Sequence, residues 1–171
     1  PMRLNQKTAI IVGAGQSPGI TTGNGRATAL LFAREGAKVL AVDRDLASAQ
    51  ETVEMIRVEG GEAEACAADV VDENSVKNAI DACMKHWNRI DILHNNVGIS
   101  VAGGDASITD ITTEAFDRIM AVNLRSMVYA CKYVIPIMRE QQSGVIINIS
   151  SLAVLENYPW VAYKTSKAGV I

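Results

Sequence analysis

Tyr163 and Lys167 stand four residues apart, a spacing that puts both side chains on one face of a helix, about one turn apart. A phenol titrates near pH 10 and is a poor acid or base at neutrality. An ammonium one turn away favours the phenolate and so makes proton transfer accessible. Lys167 would therefore tune Tyr163 while holding a ligand hydroxyl. Upstream, Ser150 and Ser151 follow an apolar run and are placed to hydrogen-bond a carbonyl or alkoxide oxygen. Each residue also has a plain alternative: serine and tyrosine can simply cap and pack a strand-helix junction, and Tyr-x-x-x-Lys recurs by chance.

A second group lies near the start of the chain. Gly13-Ala14-Gly15 directly follows an apolar run, and Gly23-Asn24-Gly25 opens a stretch of helical period. Glycines there let backbone approach a ligand closely and let helix-terminal amides face a pyrophosphate. A tight strand-to-helix turn would use them equally well. Asp43 ends the second apolar run, where a carboxylate can accept from both ribose hydroxyls and repel a 2′-phosphate, favouring NAD over NADP. An Asx cap of the next turn is its alternative role, and Arg44 pulls the other way because a guanidinium attracts that phosphate. Gln16 to Thr22 separate the two glycine pairs where a compact dinucleotide turn has one residue. Gln16-Ser17-Pro18-Gly19 reads as a turn, and the extra residues are expected to bulge outward or cover the pyrophosphate.

The elements that must position these residues follow from the hydropathy pattern. Strands are predicted at Thr8–Val12, Lys38–Val42, Ala63–Ala67, Ile90–His94 and Gly144–Ile149, short apolar runs of strand length. Helices are predicted at Gly25–Glu35, Leu46–Glu59, Glu73–Trp87 and Thr113–Gln142, the last broken near Pro136, with a further one beginning before Ile171. Strands alternating with helices specify an α/β fold, a doubly wound parallel sheet with helices on both faces. Gly13, Asp43, Asp69, Asn95 and Ser150 each sit at a strand's carboxyl end, the edge where such sheets bind ligands.

Composition narrows the options. With 171 residues, 49% hydrophobic and 20% charged at a net charge of -3, the chain reads as one globular domain over 1–171. No basic block offers a footprint for nucleic acid or an anionic membrane, and no apolar run approaches the ~20 residues that span a bilayer. Cys66, Cys83 and Cys131 have no paired Cys or His spacing, so no metal site and no disulfide framework is expected, and the reading is cytoplasmic.

Five motifs, in order, resemble the short-chain dehydrogenase/reductase family across essentially the whole chain. They are Gly13-Ala14-Gly15 with Gly23-Asn24-Gly25; Asp69-Val70; Asn95-Asn96-Val97-Gly98; Asn123 in Val122-Asn123-Leu124; and Ser151 with Tyr163 and Lys167. The resemblance implies a Rossmann-type fold and hydride transfer between NAD, with NADP less favoured, and a secondary alcohol or ketone. In it Tyr163 would be the acid-base, Lys167 would bind nicotinamide ribose and favour the tyrosinate, and Ser151 would orient the substrate oxygen. Asn123 would hold a water linking the lysine to solvent, Asp69 and Val70 would contact adenine, and Asn95 would steady the central strands beside the cofactor. Ser151 precedes Tyr163 by 12 positions and Ser150 by 13; the second is the commoner family spacing, but register from the preceding strand favours Ser151. An enoyl reductase shares the insertion's length but not the Tyr-x-x-x-Lys spacing. Family members continue past the lysine through two further strands and assemble as dimers or tetramers. A non-catalytic nucleotide-binding fragment of such an enzyme is therefore the alternative expectation.

Overall fold

The computed structural model describes residues 2–17 and 19–171. Runs dominated by aliphatic residues form five strands: β1 (Thr8–Val12), β2 (Lys38–Asp43), β3 (Ala63–Ala67), β4 (Ile92–Asn95) and β5 (Val145–Asn148). All pair in parallel, in the order β3-β2-β1-β4-β5. Between and after them run α1 (Asn24–Arg34), α2 (Leu46–Val58), α3 (Glu73–Trp87), α4 (Thr113–Met120), α5 (Ser126–Gln141) and α6 (Val161–Ala168). Side-chain alternation along the strands divides the core in two. Ala9, Ile11, Val39 and Ala41 pack against Ala29, Leu30, Val53 and Ile56 of α1 and α2. Ile10, Leu40, Val42 and Leu93 pack against Val76, Ile80, Ala130 and Val134 of α3 and α5. This is the expected three-layer, Rossmann-type arrangement. Its strand order reverses between β1 and β4, the place where open α/β sheets form a ligand crevice.

Local chemistry sets where the helices begin. Asp45 accepts from the Ser48 N–H, Asp72 from Asn74 and Thr112 from Ala115, capping α2, α3 and α4, each such cap being worth about 1 kcal/mol.

Several expected ends move by one residue, and two expectations are corrected more substantially. The fourth strand begins at Ile92 rather than Ile90, because Asp91 turns its buried carboxylate toward the Thr8 N–H at 3.0 Å and the Arg89 guanidinium at 2.7 Å. The long helix does not break at Pro136, which lies inside α5. Pro136 is exposed, so water can satisfy the Lys132 carbonyl that its missing N–H leaves free. The irregularity falls earlier, at Ala121–Arg125, a π-helical turn between α4 and α5. Ser126 Oγ donates back to the Val122 carbonyl there at 2.6 Å. Such turns recur at functional sites, and this one contains Asn123.

Candidate active site

A cleft of about 700 Å³ opens outside the carboxyl ends of the central strands, a volume suited to a small-molecule ligand. Every expected cofactor residue lines it except Asn95, Tyr163 and Lys167. Asn95 is buried, and its Nδ2 donates to Asn148 Oδ1 at 2.8 Å, tying β4 to β5 behind the cleft. The glycine loop can close because side chains are absent: a Cβ on Gly25 would stand 1.8 Å from the Gly13 carbonyl oxygen, and one on Gly15 would stand 2.7 Å from Asp43 Oδ2. Asp43 Oδ2 accepts from the Gly15 N–H at 2.9 Å and its Oδ1 from the Asp45 N–H at 3.1 Å. A carboxylate has about four lone-pair sites, so capacity for two ribose hydroxyls remains. Arg44 is exposed at the same rim. Asp69 caps its own turn, accepting from the Val71 N–H at 3.1 Å, while Val70 beside it is buried.

Of the insertion, Gln16 and Ser17 line the cleft, while residues 19–22 are exposed and do not line it, so that stretch bulges outward. Pro18, the centre of the expected turn, lies outside the described residues.

The catalytic candidates gather where β4, β5 and α6 meet. Lys167 is 2% exposed and donates to the Ile149 carbonyl at 2.9 Å and, more weakly, to the Val97 carbonyl at 3.5 Å. No carboxylate pairs with it among the described residues. Burial lowers its pKa from the ordinary lysine value. Its Nζ stands 5.9 Å from the centre of the Tyr163 ring, within the range of cation–π attraction. A Cβ on Gly98 would come within 3.1 Å of Nζ, so the glycine makes room for the ammonium between strand end and helix.

The two serines behave differently. The Ser150 hydroxyl donates to the Lys167 carbonyl at 2.7 Å, which commits its proton. Among the described residues Ser151 Oγ only accepts, from the Ala153 N–H at 3.2 Å, which leaves its proton for a substrate oxygen. Asn123 is fully buried, and its side chain is spent: Oδ1 accepts from the Ile99 N–H at 2.8 Å, while Nδ2 donates to the Ile99 carbonyl and to Ser166 Oγ, each at 2.9 Å. Its two amide hydrogens are therefore unavailable to a water. What it does is clamp the loop after β4 to the residue preceding Lys167.

Two features escape sequence reasoning. Asp105 is 7% exposed and faces the N-terminus of α6. Its carboxylate accepts from the Ala162 and Tyr163 N–H groups, each at 2.9 Å, from Ala106 N–H at 3.1 Å, and from Ser100 Oγ at 3.1 Å. Negative charge there complements the helix dipole. Ser100 Oγ also meets the Tyr158 hydroxyl at 3.0 Å, and the Tyr158 ring lies 5.5 Å from that of Tyr163. The second feature is Arg26, whose buried guanidinium donates to Thr52 Oγ1, the Ser48 carbonyl and Glu51, while Thr52 Oγ1 donates to the Ala14 carbonyl at 2.8 Å. That network holds the glycine loop from below. No local pattern announces either residue, since their partners lie far away in sequence.

Comparison with known proteins agrees with this geometry. Residues 7–171 match the family model described as short chain dehydrogenase. The chain is 45% identical to the uncharacterized oxidoreductase YxbG of Bacillus subtilis, over 88% of this chain and 52% of that protein. It is 38% identical to 2-(R)-hydroxypropyl-CoM dehydrogenase of Xanthobacter autotrophicus, over 96% of this chain and 64% of that one. Among solved structures it is similar to a 7α-hydroxysteroid dehydrogenase complexed with NADH and 7-oxo glycochenodeoxycholic acid, with TM-score 0.89 and 33% identity, covering 99% of this chain and 63% of that one. The chain thus spans roughly half to two thirds of the length of these relatives.

Proposed function

This chain belongs to the short-chain dehydrogenase family, and from that premise we propose that the protein is an oxidoreductase moving hydride between a nicotinamide cofactor and a secondary alcohol or its ketone. The observation that carries the reading is Lys167, an ammonium buried without a carboxylate partner under the Tyr163 ring and beside a glycine-lined cleft. Burying an unpaired charge costs several kcal/mol, a cost that a catalytic use explains and a purely structural one does not. The cleft fits a dinucleotide, because the close glycine-to-glycine approach leaves the α1 N-terminus open and Asp43 stands where a ribose would reach. When bound, a nicotinamide supplies or accepts the hydride.

Tyr163 gives a proton to the carbonyl oxygen as the carbon is reduced and takes it back in oxidation. Lys167 favours the tyrosinate through its charge and uses its remaining N–H on ribose hydroxyls. Ser151 donates to the substrate oxygen. Asn123 contributes by holding Ile99 and Ser166, hence the floor on which Lys167 rests. Asp43 accepts from the adenosine ribose and favours NAD over NADP against the pull of Arg44, while Asp69 and Val70 flank the adenine. The two named relatives whose substrates are stated act on hydroxylated compounds, which supports the substrate class. Val128 on the outer side of α5 is 58% exposed, fitting self-association through that helix, as a dimer or tetramer. Three free thiols among the described residues fit a reducing, cytoplasmic setting.

The test is calorimetric titration with NADH and NADPH, followed by a screen of ketones for NADH oxidation. Tighter NADH binding with turnover supports the proposal. Absence of NADH binding contradicts it, and binding without turnover on any ketone favours a nucleotide holder over an enzyme.

A further inference from the structure

The insertion raises a physical problem. Six residues, Ser17 to Thr22, interrupt a turn that must close tightly for a dinucleotide, yet the turn is closed. A Cβ on Gly23 would lie 3.9 Å from the Gly15 carbonyl oxygen, and Gly25 already abuts Gly13. The chain leaves after Gln16 and returns at Gly23 to nearly the same place.

Gln16 is what joins the two sides. Its Oε1 accepts from the Gly23 N–H at 2.7 Å, and its Nε2 donates to the Ser17 carbonyl at 2.7 Å and the Thr21 carbonyl at 2.9 Å. Its own N–H donates to Ser48 Oγ on α2 at 2.7 Å, which fixes the bridge to the body of the fold. Gly23 is the N-cap of α1 and brings no capping side chain, and the first turn of α1 contains no acidic residue. Helices commonly satisfy the N-cap N–H with a Glu or Gln at the third helical position. That position here is Arg26, which is committed to Thr52 and Ser48. Gln16 supplies the acceptor from the other side, and it leaves the Asn24 and Gly25 N–H groups without a protein acceptor among the described residues.

We propose that Gln16 is the positioning residue of the cofactor turn. Its side chain holds the two ends of the insertion together, so that Gly13-Ala14-Gly15-Gln16 works as though joined to Gly23-Asn24-Gly25, with the free amides of Asn24 and Gly25 directed at the pyrophosphate. The inference rests on the nicotinamide-cofactor reading above for its ligand, but not for its geometry. It explains how the fold tolerates an insertion inside its binding turn. Gln16 lines the cleft, and the proposal gives its side chain, already bonded to Gly23, Ser17 and Thr21, a bridging role instead of a contact with the cofactor.

Four proteins test it by NADH fluorescence titration: the unaltered chain, Gln16→Ala, a deletion of residues 17–22, and the deletion combined with Gln16→Ala. Gln16→Ala in the full chain is expected to weaken NADH binding about tenfold, the loss of a hydrogen bond that orders the turn. The deletion alone is expected to stay within about threefold of the parent, and adding Gln16→Ala to it to cost less than about threefold, because there is then no insertion to bridge. Equal losses from Gln16→Ala in both backgrounds would mean that Gln16 touches the cofactor itself. A deletion as weak as Gln16→Ala would mean that the insertion binds it, and either result overturns the proposal. A second readout needs no nucleotide: amide exchange at Gly23 should speed up about tenfold or more in Gln16→Ala, and unchanged exchange refutes the bridge. If the unaltered protein binds no NADH, the nicotinamide reading fails, while the exchange measurement still decides the role of Gln16.

Discussion

Asp105 offers a direct check on how α6, the helix carrying Tyr163 and Lys167, is held. Its carboxylate is buried with four hydrogen-bond donors and, among the described residues, no cationic partner within salt-bridge distance. Two of those donors are the Ala162 and Tyr163 N–H groups that open α6. In Asp105→Ala both lose their acceptor. Loss of a capping side chain costs about 1 to 2 kcal/mol, and each buried donor left unpaired costs about 1 to 3 kcal/mol. These effects overlap, so the expected destabilisation is about 3 kcal/mol in total. At this chain length that corresponds to a fall in Tm of roughly 6 to 12 °C. Asp105→Asn keeps the shape and one acceptor oxygen but turns an NH2 toward backbone donors, so it should fall between parent and alanine. Asp105 does not line the cofactor cleft, and NADH affinity should therefore stay within about threefold while turnover drops with the displacement of Tyr163. Thermal melts, NADH titration and steady-state kinetics on the three proteins read all of this. An Asp105→Ala protein with parental Tm and turnover would refute the idea that this carboxylate anchors the helix.

Two further outcomes follow from other parts of the site and core. Asp43→Ala should weaken NAD binding more than NADP binding, because it removes an acceptor for the ribose hydroxyls and a repulsion toward a 2′-phosphate; an unchanged ratio in paired titrations would remove Asp43 from cofactor selection. Acid should destabilise the fold in two windows. Burial lowers the pKa of His94, whose Nδ1 has no partner among the described residues, so the folded state resists a proton that the unfolded imidazole accepts near pH 6.5. Stability is then full above that value and lost as pH falls below it, by up to about 1.4 kcal/mol per pH unit, and His94→Leu should flatten this slope in urea melts. The Asp91 carboxyl is held low despite its burial, through the Arg89 and Thr8 hydrogen bonds and the nearby Lys7. Its contribution is present above about pH 4 and lost as pH falls further.

Much of this architecture is legible in the residues themselves. Aliphatic runs such as Thr8–Val12 and Lys38–Val42 have the length and composition of buried parallel strands, and the glycines at 13, 15, 23 and 25 announce a close backbone approach. The spacing of Tyr163 and Lys167 by itself places them on one helix face. Position relative to water is what the pattern conceals. Pro136 reads as a helix breaker and is not one, because it falls on the exposed side of α5 where solvent takes the orphaned carbonyl. The π turn at Asn123 leaves no mark in periodicity, since one extra residue per turn is within the noise of a hydrophobic stripe. Asp105 is silent for a different reason. It looks like any loop aspartate, and its meaning comes from N–H groups 57 and 58 positions later in the chain. Gln16 resembles an ordinary turn residue until Gly23 is seen returning to it.

The central claim is that Tyr163 moves the proton while its neighbours hold the cofactor and substrate, and it is tested most directly by comparing the parent with Tyr163→Phe in two measurements, NADH affinity and NADH oxidation by ketones. Affinity is expected to stay within about threefold of the parent while turnover falls by at least about 100-fold, the contribution of a positioned acid-base group. Undiminished turnover in Tyr163→Phe would contradict it.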